Sequence, residues 1–177
     1  MNVWHLRKNS GTSMVETPFL LWILIVGLIM PIIALATMGI RYAFFLNAAQ
    51  LAVHAAAQAK SFQQDYPPDM SAQTRAQQMA RTSCESFKGV TLNTVTTSIV
   101  ITPVAAGAAS AQTTKLTGPA FEENNIYQIQ VLLDGELNPI IPVPSGTLGI
   151  NVPGLTAPYP VQTTAKAVSE NPQGLNL

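Results

Sequence analysis

From Thr17 to Ile40 the chain carries no charged side chain. As an α-helix this run of about 24 residues extends roughly 36 Å at 1.5 Å per residue. The hydrocarbon core of a bilayer is about 30 Å thick, so the run can span it with some tilt. Arg7 and Lys8 flank its amino end, against Arg41 at the other with Lys60 at the limit of the window. The positive-inside rule therefore favours the amino end in the cytoplasm and the remainder outside. A second reading is a secretory signal, since Ala34 to Ala36 has the small-x-small pattern of a signal-peptidase site and would leave a soluble product beginning at Thr37. Against it, apolar residues continue past that cut through Met38 and Ile40.

Helical patterning does not stop where the charges return. In YAFFLNAAQLAVHAAAQAKSF, Phe44, Ala48, Leu51, Ala55, Ala59 and Phe62 recur at spacings of four and three, one face of a helix. Asn47, Gln50, His54, Gln58 and Ser61 form a polar stripe opposite. One helix from about Met14 to Phe62 is expected, about 70 Å long, half in lipid and half emerging. Pro31 removes one ladder hydrogen bond and presses on the carbonyl of Gly27, so a kink or a loosened turn is expected there.

Tyr66-Pro67-Pro68 is expected to end that helix, and Asp69 to cap a second, shorter one to about Phe87. Its apolar side is Ala72, Ala76, Met79, Ala80, Cys84 and Phe87, with Cys84 read as a buried, inert thiol. From Gly89 the vocabulary turns to threonine, valine and isoleucine. VTLNTVTTSIVITPV reads as a strand, kinked near Asn93 where the apolar alternation shifts phase. IYQIQVLL alternates cleanly, with Tyr127, Ile129, Val131 and Leu133 on one face; Asp134-Gly135 either ends it in a turn or bulges it. PYPVQTTAKAV is a third strand, with Val161, Thr163, Ala165 and Ala167 together. Long loops, AAGAASAQTTKLTGPAFEENN and PVPSGTLGINVPGLTAPYP, lie between the strands. The expected fold class is α+β: a long N-terminal transmembrane helix continuing into an extracytoplasmic domain with a second helix and a small antiparallel sheet.

Composition excludes several functions. Nine basic and nine acidic residues among 177 leave a net charge of 0, without the basic stripe that nucleic acid requires. One cysteine and two histidines allow neither an intrachain disulfide nor a metal site of recognisable spacing. No nucleophile elbow, phosphate-cradling loop or H-E-x-x-H is present, so neither catalytic residues, nor a cofactor, nor a small-molecule substrate is expected. His54 lies on a stripe of amides, and Glu122-Glu123 and Asp134 with Glu136 offer fewer oxygens than calcium takes.

Glu16 stands at the threshold of the spanning run, where an ionisable group is costly. Ser13-x-x-Glu16 reads as a capping box and Thr17-Pro18 as a helix start, and either sets a carboxylate against the positive end of the helix dipole. Taken with Gly11, however, the pattern G-x-x-x-x-E, preceded by cations and followed by a spanning helix, resembles the processing site of type IV prepilins. The resemblance implies cleavage by a membrane peptidase between Gly11 and Thr12, placing Glu16 fifth in the product. Cleavage would remove Arg7 and Lys8 and set a new ammonium near Glu16, and pairing the amine of one subunit with Glu16 of the next would relieve both charges in lipid. Within that class GTSMVETPFLLW, GIRYAFFLNAAQLAVHAAAQAKSF and, more loosely, PGLTAPYPVQTTAKAVSENPQG resemble the TadE family, minor pilin-like proteins of the tight-adherence (Tad, or Flp) pilus machinery. The chain departs from the common pattern in Thr17-Pro18 and in the late position of Pro31. The resemblance implies a leader over 1–11, a transmembrane and emergent helix over 12–62 and an extracytoplasmic domain over 63–177. It further implies pilus assembly without catalysis, and as partners the inner membrane, a prepilin peptidase, other Tad pilins or pseudopilins and platform proteins. The competing class is a membrane-anchored or secreted binding module whose long loops hold a ligand.

Overall fold

The computed structural model describes residues 13–105, 109–140, 153–154 and 157–177, with side chains from residue 16 on. Three helical segments follow one another without a break: α1 (Ser13–Leu24), a π-helical turn (Ile25–Ile29) and α2 (Met30–Ala57). Among the described residues, Glu16–Ala57 is the one helix long and apolar enough to cross a membrane, and it lies near the N-terminus. Every side chain from Glu16 to Met30 is exposed. Pro18 falls inside α1, so Thr17-Pro18 is not the helix start its sequence signature suggested; the helix is already formed at Ser13. Gly27 lies within the π-helical turn and Pro31 just beyond it. Pro31 lacks an N–H for the Gly27 carbonyl, and one residue earlier the Met30 N–H reaches back five residues to the Ile25 carbonyl, the wide pattern of a π-bulge.

The second half of α2 is core. Phe45, Ala48, Ala49, Ala52, Val53, Ala56 and Ala57 are buried, spaced three and one apart. This face is turned from the expected one: Phe44 and Leu51 are exposed at 36% and 44%. An alanine-rich helix has few bulky side chains to mark its inner side, and here two neighbours cover it. Ala72, Ala76 and Ala80 of α3 (Ala72–Glu85), each at most 1% exposed, meet the α2 alanines, and small residues let the two backbones approach closely. The sheet covers the other flank.

α2 ends at Ala57, five residues short of expectation, and the Tyr66-Pro67-Pro68 turn is not its terminator. The C-terminal tail stops it: the Glu170 N–H donates to the Ala57 carbonyl, and the Phe62 N–H is taken by the carbonyls of Gly174 and Leu177. A terminal helix carbonyl is thus satisfied from across the fold rather than by its own chain. Ser61, expected on the polar stripe, is buried as a result. Nor does Asp69 cap α3. Ser71 does, its hydroxyl accepting from the Thr74 N–H at 3.3 Å, while the Asp65 carboxylate accepts from the Ser71 N–H at 2.6 Å.

Four antiparallel strands stand in the order β2-β1-β3-β4: β1 (Val90–Pro103), β2 (Ala111–Thr113), β3 (Asn125–Leu137) and β4 (Tyr159–Val168). The β1–β3 register shifts between Leu92 and Thr94, at the Asn93 phase change. Asp134-Gly135 neither turns nor bulges β3, which runs through to Leu137. β2 lies in what reads as loop, paired with β1 at Ile99 to Ile101. Tyr127, Ile129, Val131, Leu133 and Leu137 of β3 face the helices with Ile99 and Val161. Each large side chain so buried contributes about 1.5–3 kcal/mol.

Candidate functional site

The residues singled out for processing and assembly lie at the amino end. Gly11 and Thr12 are outside the described residues. Glu16 is exposed and sits in the first turn of α1, where the helix dipole favours a carboxylate. From Pro18 to Met30 the helix presents only apolar residues, including Phe19, Leu20 and Trp22, each above 60% exposed.

A second locus forms where the helix meets the domain. Pro31, Ala34, Leu35 and Met38 make one wall of an apolar groove of about 420 Å³; Leu137, Pro153, Gly154 and Tyr159 make the other. Gly154 allows the close approach, because at φ +87 it turns left-handed and a Cβ there would stand 3.1 Å from Met38 Cε. Its N–H donates to the Ala157 carbonyl at 2.7 Å, closing the turn. Beside the groove the Arg41 guanidinium donates to the Asn138 carbonyl and lies against Gly89, itself at φ +91, where any side chain would collide with it. Phe44 and Phe87 stack next to it with centroids 3.7 Å apart. These contacts join the last uncharged turns of the helix to the end of the sheet. Sequence reasoning missed them, since they pair residues from distant parts of the chain; the left-handed glycines were the only local signal.

The ion pairs among the described residues gather at the turn between α2 and α3. The Lys60 Nζ lies 2.7 Å from Asp69 Oδ2, and the Arg75 Nη2 lies 3.9 Å from Asp69 Oδ1. Hydrogen bonding and charge from Lys60, then Arg75, hold the Asp69 carboxyl below its ordinary range. The Ser71 backbone N–H does the same for Asp65, aided by the Ser71 and Thr74 hydroxyls. These contacts organise a turn and converge on no cavity. Cys84 is buried and free, its thiol pushed up by burial and then by the Glu85 charge, which disfavours the reactive thiolate.

Among the described residues no group of three or more His, Cys, Asp or Glu is placed to hold a metal. His54 is exposed on α2. Glu122 takes a hydrogen bond from Gln173 at 3.1 Å. The sheet has open edges: no described strand pairs with the outer side of β1 from Val90 to Ser98, since β2 begins opposite Ile99, or with the outer side of β4. Comparison of the chain with protein-family models, curated proteins and solved structures finds no match.

Proposed function

We propose that the protein is a pilin-like structural component of a Tad/Flp-type pilus assembly. In this reading it is anchored once in the inner membrane with its amino end in the cytoplasm, and its small domain lies outside. A prepilin peptidase cuts after Gly11, and the product assembles with other pilins or pseudopilins on the platform through its N-terminal helix. The observation that carries this reading is the unbroken passage from a bare apolar helix, entered at Glu16, into a helix that forms the core of its own domain. A helix so continued transmits a fixed axial register from the lipid to the outer face. A flexible tether, which is all that an anchored binding module needs, would not. Glu16 supports the same reading, because a carboxylate at the lipid edge is relieved when a neighbour's new terminal amine pairs with it. The protein carries no catalysis of its own in this account.

Amino-terminal sequencing of the protein from its native membrane tests the proposal. A terminus at Thr12 is expected. A terminus at Thr37 would mean a secreted product, and an uncut leader would mean a plain anchor; either result overturns the assembly reading. Replacing Gly11 with a bulky residue should leave the uncut form to accumulate.

A further inference from the structure

The bare part of the helix is too short for a bilayer. Glu16 to Met30, exposed throughout, makes 15 residues and supplies about 22 Å of rise. The hydrocarbon core takes about 30 Å. Shifting the lipid-covered window toward the amino end would put Glu16 in hydrocarbon and leave Ile32, Ile33 and Leu35, exposed at 57%, 54% and 72%, in water. Lipid must instead reach about residue 35, and there the folded domain already lies alongside. The turn at Gly154, the end of β3 at Leu137 and the start of β4 at Tyr159 face that depth across the apolar groove.

The groove's surroundings suit the same boundary. Tyr42 and Tyr159, exposed at 41% and 48%, stand at its rim, and phenol rings favour the headgroup level, where one end is apolar and the other wet. Arg41 is held over Gly89 by the Asn138 carbonyl, one residue from Leu137, and Lys88 is exposed beside it. Among the described residues the ion pairs involve only Lys60, Arg75 and Asp69, so neither Arg41 nor Lys88 has a carboxylate partner. A guanidinium fits a phosphate well.

We propose that the groove is a phospholipid site. One acyl chain lies along Pro31 to Met38 beneath Tyr159, with its phosphate at Arg41, and the rim of the domain is seated in the leaflet on its own side. The domain then rests at a fixed height on the membrane rather than standing clear on a stalk. This rests on the reading that the helix crosses a membrane, which the experiment checks separately.

The full chain, with Trp4→Phe, Trp22→Phe and Tyr159→Trp, is placed in phosphatidylcholine nanodiscs whose acyl chains are brominated near the headgroup or near the bilayer centre. The Y159W probe should emit in the blue, lose at least half its intensity to the shallow bromines and little to aqueous iodide. Adding Ala34→Phe, which fills the groove, should cut the bromine quenching at least two-fold. A control carrying Trp4→Phe alone reports on Trp22, which bromines near the centre should quench if the helix spans. If Trp22 is not quenched, the membrane reading has failed. If Trp22 is quenched but the Y159W probe yields to iodide, the domain stands clear and the lipid site is overturned. Shielding of the Y159W probe from both quenchers would put a protein segment in the groove and overturn it equally. Protection of Cys84 from alkylation certifies that each variant is folded.

Discussion

The ring of Phe45 packs directly on the backbone of Gly135. A Cβ at 135 would stand 3.0 Å from Phe45 Cε2 and would collide with the Thr91 carbonyl oxygen of the neighbouring strand. The contact joins the first turn of the buried half of α2 to the far end of β3, opposite the register shift in β1. It therefore locks the helix to the sheet where the buried half of α2 begins.

Gly135→Ala is accordingly expected to destabilise the domain by about 1–3 kcal/mol, the usual cost of overpacking a rigid site. Denaturant unfolding of the full chain in detergent measures it. An unchanged midpoint would show that the Thr91 carbonyl and the Phe45 ring both give way at no cost.

The C-terminal tail is a structural element. Phe62 is 0% and Leu175 3% exposed, and the Asn171 side chain donates to the Lys60 carbonyl at 2.9 Å. Leu175→Ala should cost about 2–4 kcal/mol, as large-to-small core changes do. Hydrogen exchange should show the Phe62 and Gln63 amides losing protection before those of α3. Equal loss throughout would mean that the tail and the domain unfold as one unit.

How far the fold was legible follows from where each signal resides. β3 was legible because its alternation is local: Tyr127, Ile129, Val131 and Leu133 are two apart, and a half-buried strand has that period. The long apolar helix was legible because a run of apolar side chains needs no partner to be recognised. The buried face of α2 was not, since alanines mark no side until α3 and the sheet choose one. The end of α2 was written more than a hundred residues away, in Glu170 and Gly174. β2 has three residues and forms because β1 offers it an edge. At the candidate site, Glu16 could be picked out as a charge beside an apolar run, whereas the groove between Met38 and Tyr159 arises only from tertiary packing.

Acid should loosen the turn between α2 and α3. Asp65 and Asp69 are both held below the ordinary carboxylate value, Asp65 first by the Ser71 N–H and Asp69 first by Lys60. A depressed folded value stabilises the native state above the unfolded value, about 4, and that contribution is lost as pH falls through the folded values. The melting temperature should hold from pH 7 to pH 5 and drop below about pH 4, with a shallower drop in Asp65→Asn. A variant profile parallel to wild type would assign the acid loss to other groups.

Glu16→Gln isolates charge from shape. The amide keeps the size of the side chain and its capping ability but, being neutral, cannot form an ion pair with an ammonium. Insertion and cleavage after Gly11 should proceed, while recovery of the protein in assembled complexes cross-linked in its native membrane should fall at least several-fold. Assembly at wild-type levels would remove the carboxylate from the mechanism.

Pro31 and the π-helical turn are coupled by one missing hydrogen bond. Without an N–H at 31, the Gly27 carbonyl has no α-helical donor, and the preceding turn widens to the five-residue pattern seen from Met30 to Ile25. Pro31→Ala supplies the donor, so the wide turn should close to regular α-helix. Removing its extra residue turns everything on the Glu16 side by about 100° around the helix axis relative to the domain, the angle of one residue in 3.6. The Glu16 carboxylate would then point in a different direction while the core at Phe45 is untouched. Spin labels at Leu20→Cys and Lys88→Cys, in a Cys84→Ala background, should report an interlabel distance altered by several ångström in the alanine variant, with unfolding unchanged. Coincident distance distributions would mean that the wide turn is set by its own residues, Ile25 to Ile29, and not by the proline.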